Sequence, residues 1–345
     1  MRPSAHRGVA YTAAAAGLFG LNASVSKAVL EAGVTPEQLT ILRSIGATLV
    51  LGIVVTVVDR RRLRISWREV PQLLAYGVVG IALVQWLYFV AIDRLSVSLA
   101  LLLQFTAPVL VALWARFGLG EAVRRRVWAA LVLALGGLAM VAQVWSGIGT
   151  LDLLGVAAGL GAAGSLAAYW LIGERAVTKG LVRDPISLTF WGFAFASIAL
   201  IAVLPVRFGA FSRLDQDASL LGALASSRSP VWVLVVLIVG IGTVAPFVLE
   251  VSALRHISAT QVGLVAMLEP VLATIIAWLW LEQVLSTWQA IGVGVVVLGL
   301  ALAQTARKLI LPPSLRNDDQ EVSAPRVDGR PRPGRKEGHE FLDHR

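Results

Sequence analysis

The 345-residue chain contains no cysteine, which excludes a disulfide framework, a thiol nucleophile and a thiolate metal site. Histidine is scarce, at His6, His256, His339 and His344 only, and no histidines or carboxylates pair at metal-ligating or acid/base spacing. No metal, no cofactor and no enzyme chemistry is therefore expected. No nucleotide-binding motif appears either. GLGAAG, Gly159 to Gly164, matches the dinucleotide pattern but lies inside an apolar run, without the flanking strand that this fingerprint needs. With Gly155 one turn earlier, close helix packing is the expected role. Charge is also sparse: 15% of residues are charged and 57% are hydrophobic. A soluble domain carries about 25% charge.

What is present is a succession of apolar runs, each long enough to cross a bilayer core of about 30 Å as a helix. Ten spans are expected: Val9–Val29, Pro36–Val58, Pro71–Ile92, Val97–Phe117, Val127–Trp145, Leu153–Gly173, Ile186–Val206, Val231–Leu254, Ala259–Leu281 and Trp288–Ala306. The fold class is an all-α membrane protein. The first span would also fit a cleaved signal peptide, with Arg2 and Arg7 before it and small Asn22-Ala23-Ser24 within it. Its removal would spoil the repeat described next. Arginines crowd the loops after spans 2, 4 and 6, so the positive-inside rule places both termini in the cytoplasm. The loop Val206–Pro230, with three arginines, runs against that bias. The net charge of +9 needs no nucleic-acid partner, because the arginines lie where membrane topology puts them.

The chain repeats. Aligning Gly80 with Gly242 brings Ala91 onto Ala253, Ser96 onto Ser258 and Pro108 onto Pro270, and a one-residue gap then pairs Glu121 with Glu282. Pro36 and Pro185 open spans 2 and 7 alike. The reading is a cytoplasmic N-terminus (1–8), a first five-helix repeat (9–145), a second (146–306) and a disordered cytoplasmic tail (307–345). Five spans per repeat force the second copy to be inverted, an architecture that places a substrate site between the halves near the midplane.

At these residues the chain resembles a known family, the ten-span EamA-type members of the drug/metabolite transporter superfamily. LEPVLATIIAWLWLEQVLSTWQAIGVGVVVLG in the second half and PVLVALWARFGLGEAV with GGLAMV in the first carry the resemblance, joined by LFGLNASVSK and LTILRSIGA. The usual Trp-Gly of span 1 is Phe19-Gly20 here. The resemblance implies a secondary transporter in a bacterial plasma membrane, moving a small metabolite by alternating access, with or without protons. The second half looks nearest to amino-acid exporters. Efflux of apolar cationic drugs, a lipid-acting membrane enzyme and a passive channel stay as alternatives.

A charge at a helix centre costs roughly 2.5–3.5 kcal/mol on insertion scales, so intramembrane ionisable residues point to function. Here they are Arg43, Glu250 and Glu269. Arg43 would also be explained by pairing with Glu31 or Asp93. Beside Glu269, Pro270 leaves the Ala266 carbonyl without its helical partner. Pro108 is its repeat equivalent, and Pro246 shares a face with Thr243 and Glu250. Further polar or aromatic faces are Asn22 with Ser26, Gln85 with Tyr88, Gln104 with Pro108, Ser165 with Tyr169 and Ser187 with Trp191. Such a set makes a cavity that is mostly apolar with a few convergent polar groups. Spans 5 and 10, rich in Gly, Ala and Val, read as peripheral surfaces for lipid or for homodimer packing.

Overall fold

In a computed structural model of the protein, residues 4–95, 97–146, 152–178, 183–203, 213–280, 282 and 284–305 are described. The expected tail and the start of the loop after span 7 lie outside them. Backbone polar groups in lipid must be satisfied within the chain, and helices do this segment by segment. Span 1 is α1 (Ala5–Glu31) and span 2 is α2 (Pro36–Asp59). Span 3 is α3 (Val70–Gly77) and α4 (Val84–Arg94), joined by a π segment, Val78–Leu83. Span 4 is α5 (Val97–Gln104) and α6 (Ala107–Leu113), followed by a π segment at Trp114–Gly118. Span 5 is α7 (Arg125–Val141), span 6 is α8 (Leu153–Thr178) and span 7 is α9 (Pro185–Val203). Span 8 is α10 (Val231–Val239) and α11 (Ala245–Ala253), joined by a π segment, Gly240–Val244. Span 9 is α12 (Ala259–Ala266) and α13 (Leu268–Trp280), and span 10 is α14 (Thr287–Thr305). Among the described residues eight of the ten spans are long and apolar enough to cross a membrane; α7 has 17 residues, and α14 carries a shorter apolar stretch, Thr287–Ala303.

The starts of these helices are written locally. Thr35 and Gln38 form a capping box before α2, with Pro36 in the first turn. Ser286 and Gln289 do the same for α14. Asp152 caps α8, accepting from the Leu154 and Gly155 amides at 2.8 and 3.0 Å.

The two halves repeat their irregularities. A π segment occurs in the third span of each, and Gly80 and Gly242 lie inside them. Each fourth span is broken at its proline. The expected kink is a full restart: Pro108 and Pro270 lie in the first turns of α6 and α13, where a missing N–H costs nothing. Both halves leave that span through a left-handed residue, Gly120 (φ 67°) and Glu282 (φ 54°). Those positions keep the Gly80-to-Gly242 offset, so the gap that paired Glu121 with Glu282 is unnecessary. The contacts repeat too. Gly8 packs on Ile257 and His256 as Gly155 packs on Leu95 and Arg94. Gly80 packs on Tyr169 as Gly242 packs on Asn22.

Spans 5 and 10 are not bare glycine-rich surfaces. A Cβ at Gly137 would lie 2.7 Å from the Val296 amide nitrogen, and one at Gly292 2.6 Å from the Gly137 carbonyl. Their small residues are consumed by α7 and α14 packing backbone to backbone. The loop before span 8 adds the one departure from all-α structure among the described residues. Its antiparallel ribbon, β1 (Asp217–Ser219) with β2 (Arg228–Pro230), buries Ala218 against Val29, Val34 and Val231. Arg213 of that loop lies over Gly33.

Candidate functional site

The π segment Gly240–Val244 widens span 8 just before Pro246. Thr243 closes the widened turn by donating its hydroxyl to the Ile238 carbonyl at 2.8 Å, five residues back. The same oxygen accepts from Arg43 Nε at 3.1 Å, which ties α2 of the first half to span 8 of the second. Gln85 follows the π segment of span 3 and donates to the Ile81 carbonyl at 3.2 Å. The helix irregularities thus present the polar side chains that the sequence singles out.

Arg43 is not paired as expected. Glu31 faces Lys27 at 3.9 Å instead, and the Asp93 side chain lies outside the described residues. The charge that Arg43 feels is Glu269, in the first turn of α13. The two attract one another, and no direct salt bridge joins them among those described. Glu269 also feels Glu250, and Tyr88 feels Glu269. Arg43, Gln85, Tyr88 and Glu269 are only partly buried although they lie inside the bundle, which places them along internal space. The carboxylate at a helix N-terminus meets the positive end of the α13 dipole, worth about 0.3–1 kcal/mol.

Glu250, three residues before the end of α11, is buried against the Tyr169 and Trp170 side chains. The Tyr169 hydroxyl, the Trp170 indole N–H and the Tyr76 hydroxyl lie by this carboxyl without closing hydrogen bonds of good geometry, so all three are unpartnered. Tyr76 stacks on Tyr169 with ring centroids 5.2 Å apart. Asn22 and Ser26 meet each other at 3.4 Å, and Asn22 is wedged against Gly242. Trp191 sits among Phe190 and Phe195, and Gln104 leaves Oε1 unpartnered; neither is brought onto the Arg43–Glu269 pair by any described contact. Ser187 faces elsewhere, into the latch described next. Gly155 and Gly159 meet Leu95 and Leu103, while a side chain at Gly164 would meet open space.

At one end of the bundle two loops are tied together by a latch that sequence reasoning missed. Buried Arg183 donates to the Arg64 carbonyl at 2.8 Å, to the Arg62 carbonyl at 3.3 Å, to Ser187 Oγ at 3.1 Å and to the Glu69 carboxylate. Arg62 reaches back to Asp184 at 3.1 Å. Desolvation pushes the Glu69 carboxyl up, but the Ser66 amide and the Arg183 guanidinium outweigh it and hold the group below the usual carboxylate value. The signal for this latch was absent from any span, because it joins two loops distant in sequence.

On the latch side of the midplane the two broken spans touch. A Cβ at Gly263 would lie 3.1 Å from Trp170 and 3.2 Å from Pro108. The repeat places Ala23, Leu101 and Pro270 where Trp170, Gly263 and Pro108 stand. There, toward the ribbon end, the structure holds a cavity of about 290 Å³ lined by Ala23, Leu101, Leu102, Phe105, Pro270 and Thr274, with Lys27 and Gln289 among its lining residues as well.

The description "EamA-like transporter family" matches this chain twice, over residues 6–143 and 153–305. The threonine/homoserine exporter RhtA of Escherichia coli K12 is 27% identical over 244 residues, covering 68% of this chain and 72% of the relative. An uncharacterized transporter of Bacillus subtilis, YdfC, is 25% identical over 267 residues, covering 77% and 81%. A solved crystal structure with 19% sequence identity shares the fold at a TM-score of 0.68, over 87% of this chain and 96% of that one.

Proposed function

The chain belongs to the EamA-like transporter family, and from that membership we propose that it exports a zwitterionic amino acid or close derivative by alternating access. One observation carries the substrate class. A partly buried cation of the first half, Arg43, and a partly buried carboxyl of the second, Glu269, lie near one another inside the bundle, and no salt bridge joins them among the described residues. A zwitterion fits between such a pair, its carboxylate on Arg43 and its ammonium on Glu269. A purely cationic drug would meet Arg43 as a like charge. The name of the relative RhtA supports both the class and the outward direction. The packed contact at Gly263 and the latch support a state shut at one end, and the cavity supports access from the other. The arginine-rich latch end is the cytoplasmic end by the positive-inside rule, with both termini on that side of the plasma membrane. The outer faces of α7 and α14, with exposed Val132 and Leu298, meet lipid or a second copy.

Glu269 also carries the coupling proton in this reading. Binding energy for substrate and proton then falls on one carboxyl, so the two compete and movement is linked to the proton gradient. The test is Glu269→Gln in proteoliposomes. It abolishes accumulation driven by a pH gradient and leaves substrate exchange measurable. Full gradient-driven accumulation by the variant would refute the role.

A further inference from the structure

The cavity near Ala23 lies at a point where the two halves differ. In the second half Trp170 fills the corner against Gly263 and Pro108. In the first half the corresponding corner has Ala23 in place of Trp170 and Leu101 in place of Gly263; the leucine refills part of the indole's volume, and the space left lies against the Ala23 methyl and Pro270. Most polar atoms around the cavity already have partners in the chain. Thr274 gives its hydroxyl to the Pro270 carbonyl at 2.8 Å. Gln289 accepts from the Ser286 amide at 3.0 Å and donates to the Val141 carbonyl at 3.4 Å. Lys27 faces Glu31. What remains open is mostly apolar, with the Ser24 hydroxyl and the half-exposed Lys27 as the polar exceptions. Its volume of about 290 Å³ is at the small end of ligand pockets, which run from about 300 to 1,000 Å³.

The position matters as much as the lining. Pro270 follows Glu269 directly, and Ala273, also on the cavity wall, lies one turn after Glu269 on the same face of α13. A ligand with its ammonium on Glu269 can therefore lay an adjoining group along this wall.

Resting on the zwitterion reading above, we propose that the Ala23 cavity receives the apolar side chain of the substrate, and that Ala23 sets its size limit. The substrate class is then an amino acid with an aliphatic side chain of about leucine size. A glycine-like substrate would leave the cavity empty, and a hydroxylated one would bring a polar group to a wall with few free partners.

The experiment compares leucine, threonine and glycine counterflow in proteoliposomes for the wild type, Ala23→Leu and Ala23→Trp. The wild type favours leucine. The leucine-to-glycine ratio falls progressively through the two variants, by ~10- to 200-fold at Trp, the range over which apolar pockets discriminate by size. Leucine raises the thermal unfolding temperature of the wild type and not of Ala23→Leu, which keeps the proposal testable if the Trp variant fails to fold. A wild type that moves glycine and threonine but not leucine overturns this inference alone. So does a ratio unchanged in Ala23→Leu. A wild type that moves no zwitterion overturns the underlying reading and this inference together.

Discussion

Arg183→Ala removes the centre of the latch. The wild-type guanidinium makes four donations, and a hydrogen bond to or from a charged group contributes about 1.5–3 kcal/mol. These do not add, and two of the acceptors keep partners. The Arg62 carbonyl still accepts from Ser187 at 2.7 Å, and Glu69 still accepts from the Ser66 amide at 2.8 Å. The side chain of Glu69 is 21% exposed, so it is not stranded as a buried ion, the case in which losing a partner costs about 3–5 kcal/mol. A net loss of about 2 kcal/mol follows, close to one charged hydrogen bond. If the latch holds only the state closed at its end, that loss favours the open state about 30-fold, since about 1.4 kcal/mol is a factor of ten. The absence of native cysteine makes this measurable. Val177 is 4% exposed, beneath the latch where the Arg183 amide bonds the Ala176 carbonyl. A cysteine at Val177 should react with maleimide about 30-fold faster in the Arg183→Ala background when labelling follows the open population. Arg183→Lys keeps the charge but loses the fork of donors, and should fall between the two. An unchanged labelling rate with an intact fold would refute the gate.

The same latch has a pH signature. Glu69 is held below its usual value of 4.5, so its contribution is complete above that pH and is lost as the pH falls through the depressed value. Val177 cysteine labelling, taken as a ratio to that of an exposed control cysteine at the same pH because maleimide reacts with the thiolate, should therefore rise under acid conditions, and Glu69→Gln should remove that dependence. Arg43→Gln should weaken binding of a carboxylate substrate more than binding of its amide, read by thermal shift; equal losses would make Arg43 structural. Single cysteines at Glu121 and Glu282 should label from opposite faces of the membrane with an impermeant maleimide on whole cells, Glu282 from outside, and equal labelling would rule out inversion.

Membrane spans, the doubled architecture and the charged residues at depth follow from sequence alone, because the physics behind them is one-dimensional. A span is a length of apolar chain, a repeat is a self-match, and a buried charge stands out against an apolar background. The breaks at Pro108 and Pro270 were legible for the same reason, although their form was not: only the backbone decides whether a proline bends a helix or begins one. Partnership needed the tertiary structure. Arg43 could have met Glu31, and nothing in its surroundings along the chain says that its hydrogen bond goes to Thr243, two hundred residues away. The π segments that turn Thr243 and Gln85 to their tasks leave no composition signature. The latch joins loops that no periodicity connects. The cavity at Ala23 is an absence of volume. It lies where one repeat has an Ala–Leu pair and the other a Trp–Gly pair, and that exchange becomes space only when neighbouring helices are packed too rigidly to fill it.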